Sequence, residues 1–126
     1  MQNPGDRKPY RLEERTLLFA RRVVDFVNRL PKTVANTEIG RQLVRSAGSV
    51  GANYIEANES LSKKDFAMRV KICRKEAKET CYWLKLVTIS EELAGEQVSL
   101  AQESTEIMKI FGSIVEKTGP RSNPNP

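Results

Sequence analysis

Apolar residues recur along most of this chain at intervals of three and four, the spacing that places them on one side of an α-helix. From about Tyr10, the positions Leu12, Thr16, Phe19, Val23, Phe26 and Leu30 form such a line, flanked by Leu17, Ala20, Val24 and Val27, and Pro31 stops it. Half of that helix's surface is apolar, more than one neighbour can cover. A second helix follows, with Asn36 and Thr37 as candidate caps and Glu38 at the positive end of the dipole. Its core line is Ile39, Leu43, Val50, Tyr54 and Ala57, and beside it runs a line of small residues, Gly40, Val44, Ala47 and Gly51. Gly40, Gly48 and Gly51 each cost this helix ~1 kcal/mol against alanine, so a tight crossing is expected there.

The third helix, opened by the N-cap Ser62 with Asp65 three residues on, carries the longest pattern free of Gly and Pro, Ser62 to Leu86. Phe66, Val70, Cys73, Ala77, Thr80, Cys81 and Leu84 form its core side. Met68, Ile72, Tyr82, Trp83 and Leu86 gather on the opposite side, where a monomer's helix should be polar. Ile72, Tyr82, Trp83 and Leu86 are therefore candidates for an oligomer interface. The apolar tail of this helix is expected to continue through Val87 and Ile89 to about Leu93, and Gly95 breaks the chain. A fourth helix is expected from about Glu96 to Lys117 on Leu100, Ile107, Phe111 and Ile114, ended by Gly119 and Pro120. Four helices with short connections predict an all-α, antiparallel up-and-down four-helix bundle over residues 10–118. A loose lead over 1–9 and a disordered tail over 119–126 are expected to flank it.

At 126 residues the chain holds one core. Its net charge of +5 is uneven: residues 1–61 carry ten cations against seven anions, 62–86 eight against three, and 87–126 three against six. The basic excess centres on the third helix, where Lys71, Arg74, Lys78 and Lys85 make a stripe, with Arg69 and Lys75 beside it and Arg7, Lys8 and Arg11 in reserve near the N-terminus. Such a stripe is either a phosphate-contacting ridge or a solvated helix face. Tyr82 and Trp83 could stack on bases, although burial in an interface is the commoner use of such a pair.

Catalytic and metal chemistry find little support. The chain has no histidine, removing the commonest general base and a common metal ligand. Glu56, Glu59, Glu76 and Glu79 are spaced like bundle carboxylates, but di-metal sites of that class add Glu-x-x-His. Cys73 and Cys81 lie eight residues apart on one helix, about 12 Å by rise, too far for a disulfide, and lack the count for zinc. They are expected as buried, reduced thiols. No signal peptide or membrane span is readable, so a cytoplasmic protein without cofactor or small-molecule substrate is expected. The richest polar cluster is Arg45, Ser49 and Glu56 on the second helix, with Ser46 and Asn53 bordering the core, and Glu76 and Glu79 on the third helix are grouped with it as a structural polar motif. Arg45 and Glu56 are about 16 Å apart along one helix, so their partners must lie elsewhere: Glu76 and Arg69 on one flank of the third helix, or Arg74 on the other. These groups either satisfy one another between helices or subunits, or line a ligand site.

Two segments, RSAGSVGANYIEANES and SKKDFAMRVKICRKEAKETCYWLKL, resemble the bacterial 23S rRNA intervening-sequence protein family. The matching residues are Arg45, Ser46, Ser49, Val50, Ala52, Asn53 and Glu56, then Ser62 to Phe66, then Lys75, Glu76, Ala77, Glu79, Thr80, Tyr82, Trp83 and Leu84. The resemblance implies an antiparallel four-helix bundle that assembles into a ring-shaped homopentamer, with no catalytic residue. The family takes its name from genes inside intervening sequences of large-subunit rRNA genes, which locates a gene and not a mechanism. The expected function is a non-enzymatic oligomeric bundle associating with structured RNA, 23S rRNA among the candidates, through the basic helix face. The alternative is a protein–protein scaffold or adaptor with no specific nucleic-acid partner.

Overall fold

The computed structural model describes residues 8–118. They form four helices, α1 (Lys8–Asn28), α2 (Val34–Asn58), α3 (Lys63–Leu86) and α4 (Ala94–Thr118), with a short 3-10 turn at Glu91–Leu93 leading into α4. The expected lead over 1–9 and tail over 119–126 fall mostly outside these residues; only the helical backbone of Lys8 and Pro9 is described.

The helices pack in chain order around one core, α2 on α3 and α3 on α4 most extensively, α1 on α4 least. Phe19, Val23 and Phe26 from α1, Leu43 and Val50 from α2, Val70 and Leu84 from α3, and Leu100, Ile107 and Phe111 from α4 are fully buried, with Leu93 of the 3-10 turn among them. Each such side chain contributes about 1.5–3 kcal/mol by leaving water. The rings of Tyr54 and Phe111 meet tilted, 5.4 Å between centroids.

The small-residue line of α2 fits it against α1. A Cβ at Gly51 would lie 2.9 Å from Oγ1 and 3.3 Å from Cβ of Thr16, and one at Gly40 would lie 3.0 Å from a methyl of Val27. Gly48, by contrast, faces open space, and its cost to the helix has no packing return.

Three boundaries depart from the sequence pattern. α2 is capped by Thr33, whose hydroxyl accepts from the Asn36 amide at 3.0 Å. Asn36 is not a cap but a buried bridge: its Nδ2 donates to the carbonyls of Pro31 (2.9 Å) and Thr88 (2.8 Å), and its Oδ1 accepts from the Thr88 amide (3.1 Å). One side chain thus ties the α1–α2 connection to the chain leaving α3. That tie explains the second departure: α3 stops at Leu86 and Val87 turns extended, instead of continuing to Leu93. Val87 and Leu93 still enter the core, which is why the apolar pattern ran on past the helix. Third, α4 starts at Ala94, so Gly95 sits in its first turn rather than ahead of it. Ser62 caps α3 as expected, accepting from the Asp65 amide at 3.0 Å.

Candidate nucleic-acid interface

Helix α3 turns its cations outward. Lys71, Arg74, Lys78 and Lys85 are exposed, and among the described residues none of them has a carboxylate within ion-pair distance. The stem of Arg74 lies over α4 where Gly112 leaves room, its Cδ 3.7 Å from the position a Cβ would take. The other two candidates are engaged. Arg69 donates from Nη1 to Asn53 Oδ1 at 3.4 Å, and Lys75 Nζ lies 3.8 Å from Glu76 Oε2. The α3–α4 register adds a cation that the sequence did not reveal. Ser104 donates to the Ala77 carbonyl and Gly112 meets Arg74, so the exposed Lys109 between them lies level with the stripe. At ~100° per residue it sits on the flank of α4 that includes Thr105 and Gly112. Finding it required knowing which turn of α4 faces which turn of α3. Arg11 is exposed on α1 at the groove between α1 and α4, away from the α3 stripe; the side chains of Arg7 and Lys8 lie outside the described residues.

The polar motif occupies the α2–α3 seam. Arg45 reaches Glu76 Oε1 from Nη1 and Glu79 Oε1 from Nη2, both at 3.4 Å. Glu76 is the buried member, its side chain 8% exposed against 49% for Arg45. Its Oε1 and the indole Nε1 of Trp83 are both buried without a hydrogen-bond partner. Asn53 bridges to Arg69 and donates back to the Ser49 carbonyl at 2.9 Å. The Glu56 carboxylate is exposed and makes no ion pair among the described residues, and Arg74 turns to α4 instead of α2. Deeper in the seam Thr80 donates to the Glu76 carbonyl at 2.7 Å, which leaves Ser46 as the donor in the 2.7 Å contact between their hydroxyls. This buried pair fixes the register of α2 on α3.

The residues expected at an oligomer interface divide. Trp83 packs against the core of its own chain and Ile72 is half-buried, whereas Tyr82 and Leu86 are exposed, as is Met68 about 21 Å back along the helix from Tyr82. Tyr82 is 61% exposed and its ring stands at 74° to that of Trp83, centroids 5.1 Å apart. A second exposed apolar set crosses the α1–α2 seam, made of Leu17 and Val24 with Val44 and Ile55, around the bare Gly48. The charged outer ridge of α2, with Arg41, Arg45 and Glu56, lies between the two sets.

Among the described residues no arrangement suited to covalent chemistry accompanies these groups. Burial pushes the Cys73 thiol up to about 12, so it stays protonated and unreactive at neutral pH. Cys81 is only half-buried, beside Thr105 at 3.7 Å, and both cysteines are free. Among the described residues no group of acidic or cysteine side chains is placed to hold a metal, and no helix is long and apolar enough to cross a membrane.

Comparison with known proteins places this geometry. A search of curated proteins finds no match. A crystal structure of a protein of unknown function from the S23 ribosomal protein family, from Bacteroides thetaiotaomicron VPI-5482, superposes with a TM-score of 0.72 at 36% sequence identity, over 83% of this chain and 98% of that one. The family model of the 23S rRNA-intervening sequence protein matches residues 10–113, which take in α2 and α3 whole and most of α1 and α4, with the α2–α3 polar seam and the cationic face. This chain belongs to the 23S rRNA-intervening sequence protein family.

Proposed function

We propose that this protein is a non-enzymatic, RNA-associated helical bundle of the cytoplasm that holds structured RNA, with ribosomal RNA the first candidate, by phosphate contacts along α3. The observation that carries this reading is the set Lys71, Arg74, Lys78 and Lys85, exposed and free of carboxylate partners, in a chain that elsewhere pairs several of its arginines with glutamates. Lys71 to Lys85 spans about 21 Å of helix, and Lys109 widens the ridge onto α4. Family membership supports an rRNA-related role. Contacts of this kind bind strongly at low salt, weaken steeply as salt rises and discriminate little between sequences.

Self-association accompanies this reading. A closed ring of identical chains needs two unlike surfaces that meet head to tail, and exposed apolar residues lie on two unlike faces, Met68 and Leu86 near opposite ends of α3 and Leu17, Val24, Val44 and Ile55 across α1 and α2. A homopentamer is the assembly proposed. The same exposed apolar sets favour the second reading, a scaffold that presents its surface to another protein.

The test is a salt titration of binding to 23S rRNA fragments and to unrelated RNA, with light scattering in the same buffers. Replacing Lys71, Arg74 and Lys78 together by Glu is expected to weaken RNA binding by about tenfold or more and to flatten its salt dependence, with the assembly mass unchanged. Unchanged affinity would remove the α3 ridge as the site. RNA binding no tighter than that of an unrelated protein of equal charge, together with a specific protein partner, would select the scaffold.

A further inference from the structure

One aromatic ring stands inside the cationic face of α3. At ~100° per residue, Lys71, Lys75, Lys78, Tyr82 and Lys85 fall within an arc of about 80°, with Lys78 one turn before Tyr82 and Lys85 one turn after it. The ring is 61% exposed, yet it does not hang free: its T-shaped contact with Trp83, itself packed on the core, restrains it. A protein surface lying over Tyr82 would also have to cover Lys78 and Lys85 and supply anions for them, since unpaired charges are costly to desolvate. A nucleic acid meets both demands at once, bringing a phosphate for each cation and a base whose face can lie on the ring.

We propose that Tyr82 is a base-stacking residue within the α3 ridge, so that the ridge takes RNA in which an unpaired base lies beside the contacted phosphates, in preference to uninterrupted duplex. This rests on the RNA-binding reading above and narrows its ligand. In a continuous A-form helix every base is already stacked on its neighbours and the protein meets backbone and groove edges but no free base face, whereas loops, bulges and single strands offer bases to aromatic side chains.

The probes are a hairpin RNA with a uridine loop and a blunt duplex of equal phosphate number, tested on the full chain with Tyr82→Ala, Tyr82→Phe and the Lys71/Arg74/Lys78→Glu triple variant. The unaltered protein is expected to prefer the hairpin. Tyr82→Ala should weaken the hairpin by roughly 5- to 100-fold and leave the duplex and the salt dependence as they were, while Tyr82→Phe, which keeps the stacking face, retains the preference. Equal affinity of Tyr82→Ala and the unaltered protein for the hairpin, or an equal loss on both RNAs, would overturn the assignment. So would a fall in assembly mass on light scattering with either Tyr82 variant, which would place the ring in a subunit contact. If the triple variant binds the hairpin undiminished, the RNA reading itself falls and the stacking role with it. If the triple variant loses binding and Tyr82→Ala does not, the ridge stands and only the stacking role is lost.

Discussion

The α2–α3 and α1–α4 seams both hold arginine–glutamate pairs, and the pair with the poorer geometry is the one the fold depends on more. Across α1 and α4, Arg15 meets Glu103 in two parallel bonds of 2.7 and 2.8 Å, and Arg22 reaches Glu96 at 3.2 Å and Ser99 at 2.8 Å. Across α2 and α3, Arg45 approaches Glu76 no closer than 3.4 Å. The first set clasps a seam that has little other packing, and all its members keep contact with water. Glu76 keeps far less, its side chain 8% exposed. A carboxylate so nearly shut off from water needs its cation far more than an exposed one does, whatever the bond lengths. Burial, more than distance, ranks these interactions.

Arg45→Ala should therefore give the largest effect. It leaves Glu76 buried with only Lys75, 3.8 Å away and itself exposed, to offset its charge. A loss of about 3 kcal/mol is expected in urea unfolding. Glu76→Met, which removes the buried charge and keeps the volume, should cost much less. A loss in Arg45→Ala as small as that of an exposed ion pair would mean that Glu76 is hydrated in solution and that the two seams are alike.

Asn36→Ala comes next. It strands the Pro31 and Thr88 carbonyls and the Thr88 amide, and Thr88, being exposed, can recover part of its bonding from water. A cost of about 2 kcal/mol is expected. Faster hydrogen exchange should be confined to the connections at residues 29–33 and 87–93, since this bridge joins the two connections at the same end of the bundle. Exchange that rises evenly over all four helices would show that Asn36 supports the whole core and not those connections.

That bridge also marks how far the sequence could be read. The helices and their buried faces were legible because periodicity is a local signal: Phe19, Val23 and Phe26, or Leu100, Ile107 and Phe111, announce one side of a helix without reference to anything else. The pairing of Arg45 with Glu76 was within reach because it joins neighbouring helices through a short connection, which restricts their register. Asn36 was misread as a cap because Thr33, Asn36 and Thr37 are all chemically able to cap, and the choice is made by Thr88, fifty-two positions away. The end of α3 was overrun for the same reason, since Val87 and Leu93 are core residues whether or not the chain between them is helical. The candidate site divides in the same way. The stripe on α3 could be read from one helix, whereas Lys109 beside it and the separation of exposed Tyr82 from half-buried Trp83 depend on how α3 is turned between its neighbours.

Arg15→Ala should give the smallest loss and the most informative salt dependence. Its pair with Glu103 joins residues eighty-eight positions apart, across the seam where neighbouring helices approach least closely. The bond raises the pKa of the Arg15 guanidinium above its usual value, with the hydrogen bond to Glu103 the main cause and partial burial opposing it. A raised pKa on a cation adds stability that is fully present below the unfolded-state value and is lost only as pH climbs through the folded one, so Arg15 imposes no pH dependence near neutrality. Its contribution is screened instead by ions. A cost of about 1 kcal/mol is expected at low salt, at the upper end for an exposed pair because the contact is bidentate, falling toward zero in molar salt. Arg45→Ala should keep most of its cost in the same salt, because counterions reach a buried carboxylate poorly. Equal salt dependence of the two variants would mean that both pairs are solvated alike, and burial would lose its place as the property that separates the seams.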